Sequence, residues 1–232
     1  MKTLAATPDL TAAPAQERPR LPLLVKLAYT AFMAVLIPVY LRNYGPTNFL
    51  YFCDVALLLT LAGVWLESGL LISMAAVGIL IPQAFWVVDF TVRLTGHSFT
   101  GMTDYMFDAN RSRFLRGLSF FHGWLPFRLV SLVRKLGYDR RAFPAWTLLA
   151  WALCLVCYFW MPPIGARLAD PKLPVNINYV FGFSDTNPQS WMSPAAFLAT
   201  WMAALFALVD REEHTSELQS RETISYAVFC LK

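Results

Sequence analysis

The chain has 232 residues, of which 57% are hydrophobic and only 15% charged, with a formal net charge of +4 and a mean hydropathy of +0.47. A soluble domain of this size carries about 25% charged residues. Here the apolar residues come in long blocks rather than at amphipathic spacing, which excludes an ordinary soluble domain and predicts an all-α, polytopic membrane protein.

Residues 1–20 are Ala, Pro and Thr with scattered charge and no apolar core. They read as a disordered tail rather than a signal peptide, which needs a basic start and an apolar run. A transmembrane helical domain is expected over residues 21–210, as a bundle of about six spans. These are Leu23 to Leu41, Phe49 to Leu66, Leu70 to Phe90, Leu115 to Val133, Pro144 to Met161 and Pro194 to Val209. The fourth carries Arg116, His122 and Arg128 and is the most polar of them.

Turn chemistry supports these boundaries. Ser193-Pro194 is an N-cap followed by a first-turn proline, and Pro144 is placed to open the fifth helix in the same way. "YGPTN" (Tyr44 to Asn48) offers Thr47 or Asn48 as a cap, and the short "ESG" (Glu67 to Gly69) makes helices two and three an antiparallel hairpin. Residues 211–232 are different in kind. "EEHTSELQS" and "ISYAVFCL" resemble the in-frame translation of a sequencing adapter, and the segment is excluded from fold reasoning like a cloning scar. The natural chain is expected to continue past Asp210. The tail holds three basic and four acidic residues, so its removal moves the net charge from +4 to +5.

Basic residues set the expected orientation. With the N-terminus inside, Lys2, Arg18, Arg20, Lys26 and the "RKLGYDRR" run (Arg134 to Arg141) share the cytoplasmic side, against a more scattered set outside. The protein is placed in the cell inner (plasma) membrane with a cytoplasmic N-terminus. Because the basic runs flank spans, nucleic-acid binding has no support.

Three polar side chains interrupt the apolar blocks. Asp54, Gln83 and His122 each lie five to seven residues from the end of a span at the same face, or roughly 7 to 11 Å deep at about 1.5 Å per residue. A buried carboxylate costs on the order of 2.5 to 3.5 kcal/mol at mid-membrane, so Asp54 is expected to face the bundle and find a partner. His122 is the natural one, with Arg116 and Tyr51 as competitors. Pro126 removes the amide that would bond the His122 carbonyl, predicting a kink at the histidine; Pro82 and Pro38 do the same in helices three and one. The loops "TGHSFTGMTDYMFD" (Thr95 to Asp108) and "PVNINYVFGFSDTNPQSW" (Pro174 to Trp191) are candidate lids, or an interfacial aromatic belt. Cys154 and Cys157 form a C-x-x-C inside an apolar helix without a second pair, which points to packing rather than metal or redox use. No phosphate-binding Gly loop and no H-E-x-x-H occur, so no cofactor and no metal are expected.

"FCDVALLL", "SFFHGWLP" and "NINYVFGF" resemble, in the same order, the landmarks of YwaF-type bacterial integral membrane proteins. Those are distantly similar to a transmembrane phospholipid acyltransferase and to the androgen-induced-gene lipid hydrolases. The resemblance implies that Cys53 and His122 stand at the family's helix-two cysteine and helix-four histidine. Tyr51 stands where the family often has another histidine. Two functions are therefore expected as alternatives. In one the chain acts on a lipid acyl ester as a hydrolase or acyltransferase, with Cys53 as nucleophile, His122 as base, and Asp54 or Gln83 orienting the imidazole. In the other it is non-catalytic, as a small-solute path or structural partner, and Asp54 and His122 clamp helices. The bilayer is the expected partner in both, with a lipid substrate in the first; the sequence leaves the oligomeric state open.

Overall fold

The computed structural model describes residues 21–97, 99–166, 168, 170, 173–184 and 187–210. The expected N-terminal tail and adapter-like segment lie outside the described residues. Among those described, the secondary structure is helical, without strands. The helices are α1 (Leu23–Tyr44), α2 (Phe52–Leu66), α3 (Gly69–Leu94), α4 (Arg113–Ser119), α5 (Phe121–Leu136), α6 (Ala142–Trp160) and α7 (Pro194–Asp210). Helices α1, α3 and α6 have 22, 26 and 19 residues and are apolar and long enough to cross a membrane. At about 1.5 Å per residue, even α6 reaches roughly 28 Å, close to the thickness of a hydrocarbon core.

The caps explain several starts. Ser68 Oγ accepts the Leu71 amide at 3.4 Å to open α3, and Ser112 Oγ accepts that of Leu115 at 3.1 Å to open α4. Ser193 Oγ accepts the Ala196 amide at 3.3 Å, with Pro194 in the first turn of α7, as expected. Helix α6 begins two residues ahead of Pro144, which still falls in the first turn, where its missing amide costs no bond. Glu67 takes the left-handed conformation (φ 50°) that reverses the chain between α2 and α3.

The fourth expected span is not one helix. It divides at Phe120, two residues before the expected kink at His122. Ser119 turns its hydroxyl back onto the Leu115 carbonyl at 3.3 Å, which competes with the helical pattern. Three-residue bonds follow, from Phe120 N to Gly117 O at 3.2 Å and from Gly123 N to Phe120 O at 3.0 Å. Gly117, a poor helix former, sits in this turn. The second expected span also starts late: residues Pro46–Leu50 form a 3₁₀ turn, and α2 begins at Phe52.

Helix α3 is the hub, packed against α2, α5 and α6. Gly78 allows the last contact, because a Cβ there would lie inside the Trp146 indole of α6. The main core joins residues of α1, α2, α3, α5 and α6, while a smaller one joins Cys154 and Cys157 to Ile177, Val180, Leu198 and Leu205. The C-x-x-C is thus core packing in its immediate surroundings, and both cysteines are free.

Outside, the polarity is inverted. Leu24 is 78% exposed, Phe127 75% and Trp160 72%, whereas Asp54, Gln83, Asp89, Asn176 and Asn178 are buried.

Candidate functional site

The site grows from the first turn of α2. The amides of a first turn have no acceptor within their own helix. At Phe52 the acceptor comes from 126 residues away, where Asn178 Oδ1 lies 3.0 Å from the Phe52 amide. Asn178 Nδ2 donates to the Leu50 carbonyl at 2.8 Å and lies 3.6 Å from Cys157 Sγ, while its own carbonyl accepts from Trp201 Nε1 at 2.8 Å. One asparagine, in the left-handed region at φ 58°, ties the start of α2 to α6 and α7. Asn tolerates that conformation better than most residues.

Cys53 and Asp54 sit on the turn so fixed. Cys53 is half-buried. Asp54 Oδ2 accepts from Asn48 Nδ2 at 2.8 Å, and its Oδ1 is buried without a hydrogen-bond partner. A carboxylate in a first turn also faces the positive end of the helix dipole. Tyr40 Oη shares a 2.8 Å hydrogen bond with Ser119 Oγ, and Tyr44 Oη accepts from Arg111 at 2.9 Å.

Across the bundle, His122 occupies the second position of α5. Its Nδ1 lies 2.8 Å from Gln83 Oε1, and its ring stacks on Trp86 at 5.2 Å and Phe121 at 4.1 Å. Since the amide oxygen can only accept, that bond makes Nδ1 the protonated nitrogen and leaves Nε2 as the lone-pair side. Trp86 Nε1 in turn donates to Tyr105 Oη at 3.2 Å. Burial pushes the Tyr105 phenol well above its ordinary value, so it serves as a hydroxyl.

The Thr95 to Asp108 loop folds over this end through Asp89. The Asp89 carboxylate accepts four hydrogen bonds, from the amide and hydroxyl of both Thr100 and Thr103, at 2.6 to 2.9 Å. The other candidate lid, around Asn176 to Phe181, packs instead between α2, α6 and α7.

The structure therefore joins Gln83 to His122 and leaves Cys53, Asp54 and His122 without a mutual hydrogen bond or ion pair. The expected Asp54–His122 pair is corrected: Asn48 takes the carboxylate and Gln83 takes the imidazole. Of the expected competitors, Arg116 bonds the Met106 carbonyl at 3.0 Å. Asn48, read from the sequence as a backbone cap, is a side-chain partner. Asn178 and Asp89 went unrecognised. Asn178 lies within a quoted motif whose spacing gives no hint of a helix 126 residues earlier, and the two threonines that hold Asp89 form no known signature. Among the described residues, no group of three or more His, Cys, Asp or Glu side chains is arranged to hold a metal ion. Comparison with protein-family models, curated proteins and solved structures finds no match to this chain.

Proposed function

We propose that this chain is a multi-pass integral membrane protein of six passes, with α4 and α5 together forming an interrupted fourth. The observation that carries it is the inverted polarity: large apolar side chains cover the outside of α1, α5 and α6 while carboxylates and amides are buried. In water such a surface drives association; in a bilayer it is the natural exterior, and polar groups turn inward. The break between α4 and α5 keeps its backbone paired, through the Phe120–Gly117 and Gly123–Phe120 bonds, and internal pairing is what a bilayer requires.

Within that bundle, the geometry favours the clamp reading. Gln83–His122 and Tyr40–Ser119 each close between two helices, and such bonds hold transmembrane helices in register. One observation favours the catalytic alternative, a lipid acyl-ester hydrolase or acyltransferase of the kind the YwaF-type resemblance implies. Gln83 orients the imidazole with Nε2 as its basic side, which is what a general base for Cys53 requires. In free enzymes, catalytic hydrogen bonds are often long and tighten on substrate.

One experiment tests both levels. Membranes carrying the protein are washed with alkaline carbonate, then treated with an acyl-ester-directed probe. Retention in the pellet is expected, and release into the wash sinks the membrane assignment. Under the clamp reading the retained protein takes no label; labelling that disappears in Cys53→Ala and His122→Ala overturns it in favour of catalysis.

A further inference from the structure

One side of the last turns of α3 grips the loop that follows it. Trp86, Asp89, Phe90 and Arg93 recur at helical spacing and so share a face. Trp86 Nε1 donates to Tyr105 Oη at 3.2 Å, and Phe90 packs on Phe107 with ring centroids 5.4 Å apart. Arg93 pairs with Asp104 at 2.8 Å and lies 5.6 Å over the Phe107 ring. With the four bonds from Thr100 and Thr103 to Asp89, residues 99–108 are strapped across the outer end of α3.

The strap reaches the histidine through the same helix. Trp86 stacks on Phe90 at 5.1 Å and on His122 at 5.2 Å, so a run of rings leads from Phe107 through Phe90 and Trp86 to the imidazole. Gln83, three residues before Trp86, holds Nδ1 of that imidazole. The buried indole is thus fixed by the strap on one hand and by the histidine on the other.

How the strap is held decides how it lets go. Neither hydrophobic core includes a residue of 99–108, and within that stretch only Thr103 is buried. Phe99 is 61% exposed and Met102 38%, so their side chains turn away from the bundle. The hold is mainly polar and converges on one carboxylate. Gly96, at φ 87° with open space around it, gives the chain a joint between α3 and the strap. A segment with few apolar contacts and a glycine joint opens at lower cost than the bundle it rests on.

We propose that residues 99–108 form a lid over the Gln83–His122 pair, latched shut by Asp89. Opening breaks the Thr100 and Thr103 bonds and withdraws Tyr105 and Phe107 from Trp86 and Phe90. The indole is then free to leave the imidazole, which meets solutes from the outer aqueous phase. The inference rests on the membrane assignment, which puts this loop at an aqueous surface, and it concerns control of the Gln83–His122 site under either role of the histidine.

The test compares modification of His122 and His97 by diethyl pyrocarbonate in the detergent-purified chain, read by peptide mass spectrometry. His97 is exposed and reports the activity of the reagent. In the wild-type chain His122 should react more slowly than His97. Thr100→Val/Thr103→Val removes the two hydroxyl bonds to Asp89, each worth about tenfold. His122 should then react at least about tenfold faster, while His97 is unchanged, and Asp89→Ala should take the effect further. Hydrogen exchange on the wild-type chain decides the matter if the variants do not melt as it does: the Thr100 and Thr103 amides should exchange through a local opening, ahead of the buried Val77 and Ile79 of α3. Equal rates for the two histidines in the wild type overturn the lid. So does a His122 rate unmoved in a double variant that melts normally, or exchange of the threonine amides in step with α3. Release of the chain from membranes by alkaline carbonate fails the membrane assignment instead, whatever the histidine rates.

Discussion

Asp54 and Gln83 each lie 14 residues from the same end of the bundle, counted to Ser68 along α2 and to Gly69 along α3. That is about 21 Å at 1.5 Å per residue, so the two polar groups do share a depth, as counting along the sequence implies. Counting says nothing about rotation around each helix axis, and rotation decides the partner. Asp54 faces the 3₁₀ turn that carries Asn48, whereas His122 faces α3 and finds Gln83. Double-mutant cycles in detergent should therefore separate the two pairings. Gln83→Ala with His122→Ala should couple by about 0.6 kcal/mol, and by no more than about 1.7. Asp54→Asn with His122→Ala should add to within about 0.5 kcal/mol, as residues without shared partners do. Coupling between Asp54 and His122 as large as that of Gln83 and His122 would show that the pairing described here is wrong. The height of the candidate site was thus legible in the sequence, and its wiring was not. Asn178 makes the same point more sharply, because its service to Phe52 depends on three helices meeting.

Helix positions were legible where long apolar runs end in strong caps. Gly69 and Pro194 begin helices within a residue of expectation, because Ser68 and Ser193 each offer a hydroxyl to the turn that follows, while Leu23 starts behind Pro22 without a side-chain cap. Boundaries drifted where polar side chains compete with the backbone. Ser119 and Gly117 together end α4, and Pro46 starts a 3₁₀ turn that shortens α2. Between helices, the closest fit is that of Gly78 beneath Trp146, which is buried. Small residues permit such approach where lipid supplies no hydrophobic drive for helices to associate. Gly78→Ala gains about 1 kcal/mol in helix propensity. It also places a methyl inside the indole, and overpacking of that kind costs about 1–3 kcal/mol. The steric term should win, because the obstacle is the rigid, buried Trp146 ring rather than a flexible side-chain tip. Melting in detergent should show a net loss for Gly78→Ala and partial recovery in Gly78→Ala/Trp146→Phe. A stabilised single variant would mean that α3 and α6 are not packed through this glycine.

At the scale of the whole molecule, two long-range contacts define the ends. Gly69 against Gly137 puts the α2–α3 and α5–α6 turns together at the basic end. Asn178 on Phe52 puts the α6–α7 connection with the start of α2 at the other. Helix α6 separates them by 19 residues, or about 28 Å, which is enough to hold its two ends on opposite sides of a bilayer. Under the proposed topology the basic run lies on one side, which the positive-inside tendency would assign to the cytoplasm. Membrane-impermeant thiol labelling of intact cells tests this directly, in a Cys53→Ala/Cys230→Ala background in which the two remaining cysteines, Cys154 and Cys157, are buried. Pro163→Cys, just past α6, and Asn110→Cys, in the loop before α4, are both at the outer end and should label without permeabilisation. Arg140→Cys, at the basic end, should label only after the membrane is opened. Labelling of Arg140→Cys and Pro163→Cys from the same side would remove α6 as a span and with it the six-pass arrangement. The reverse pattern, with Arg140→Cys alone reactive in intact cells, would keep the bundle and invert its orientation.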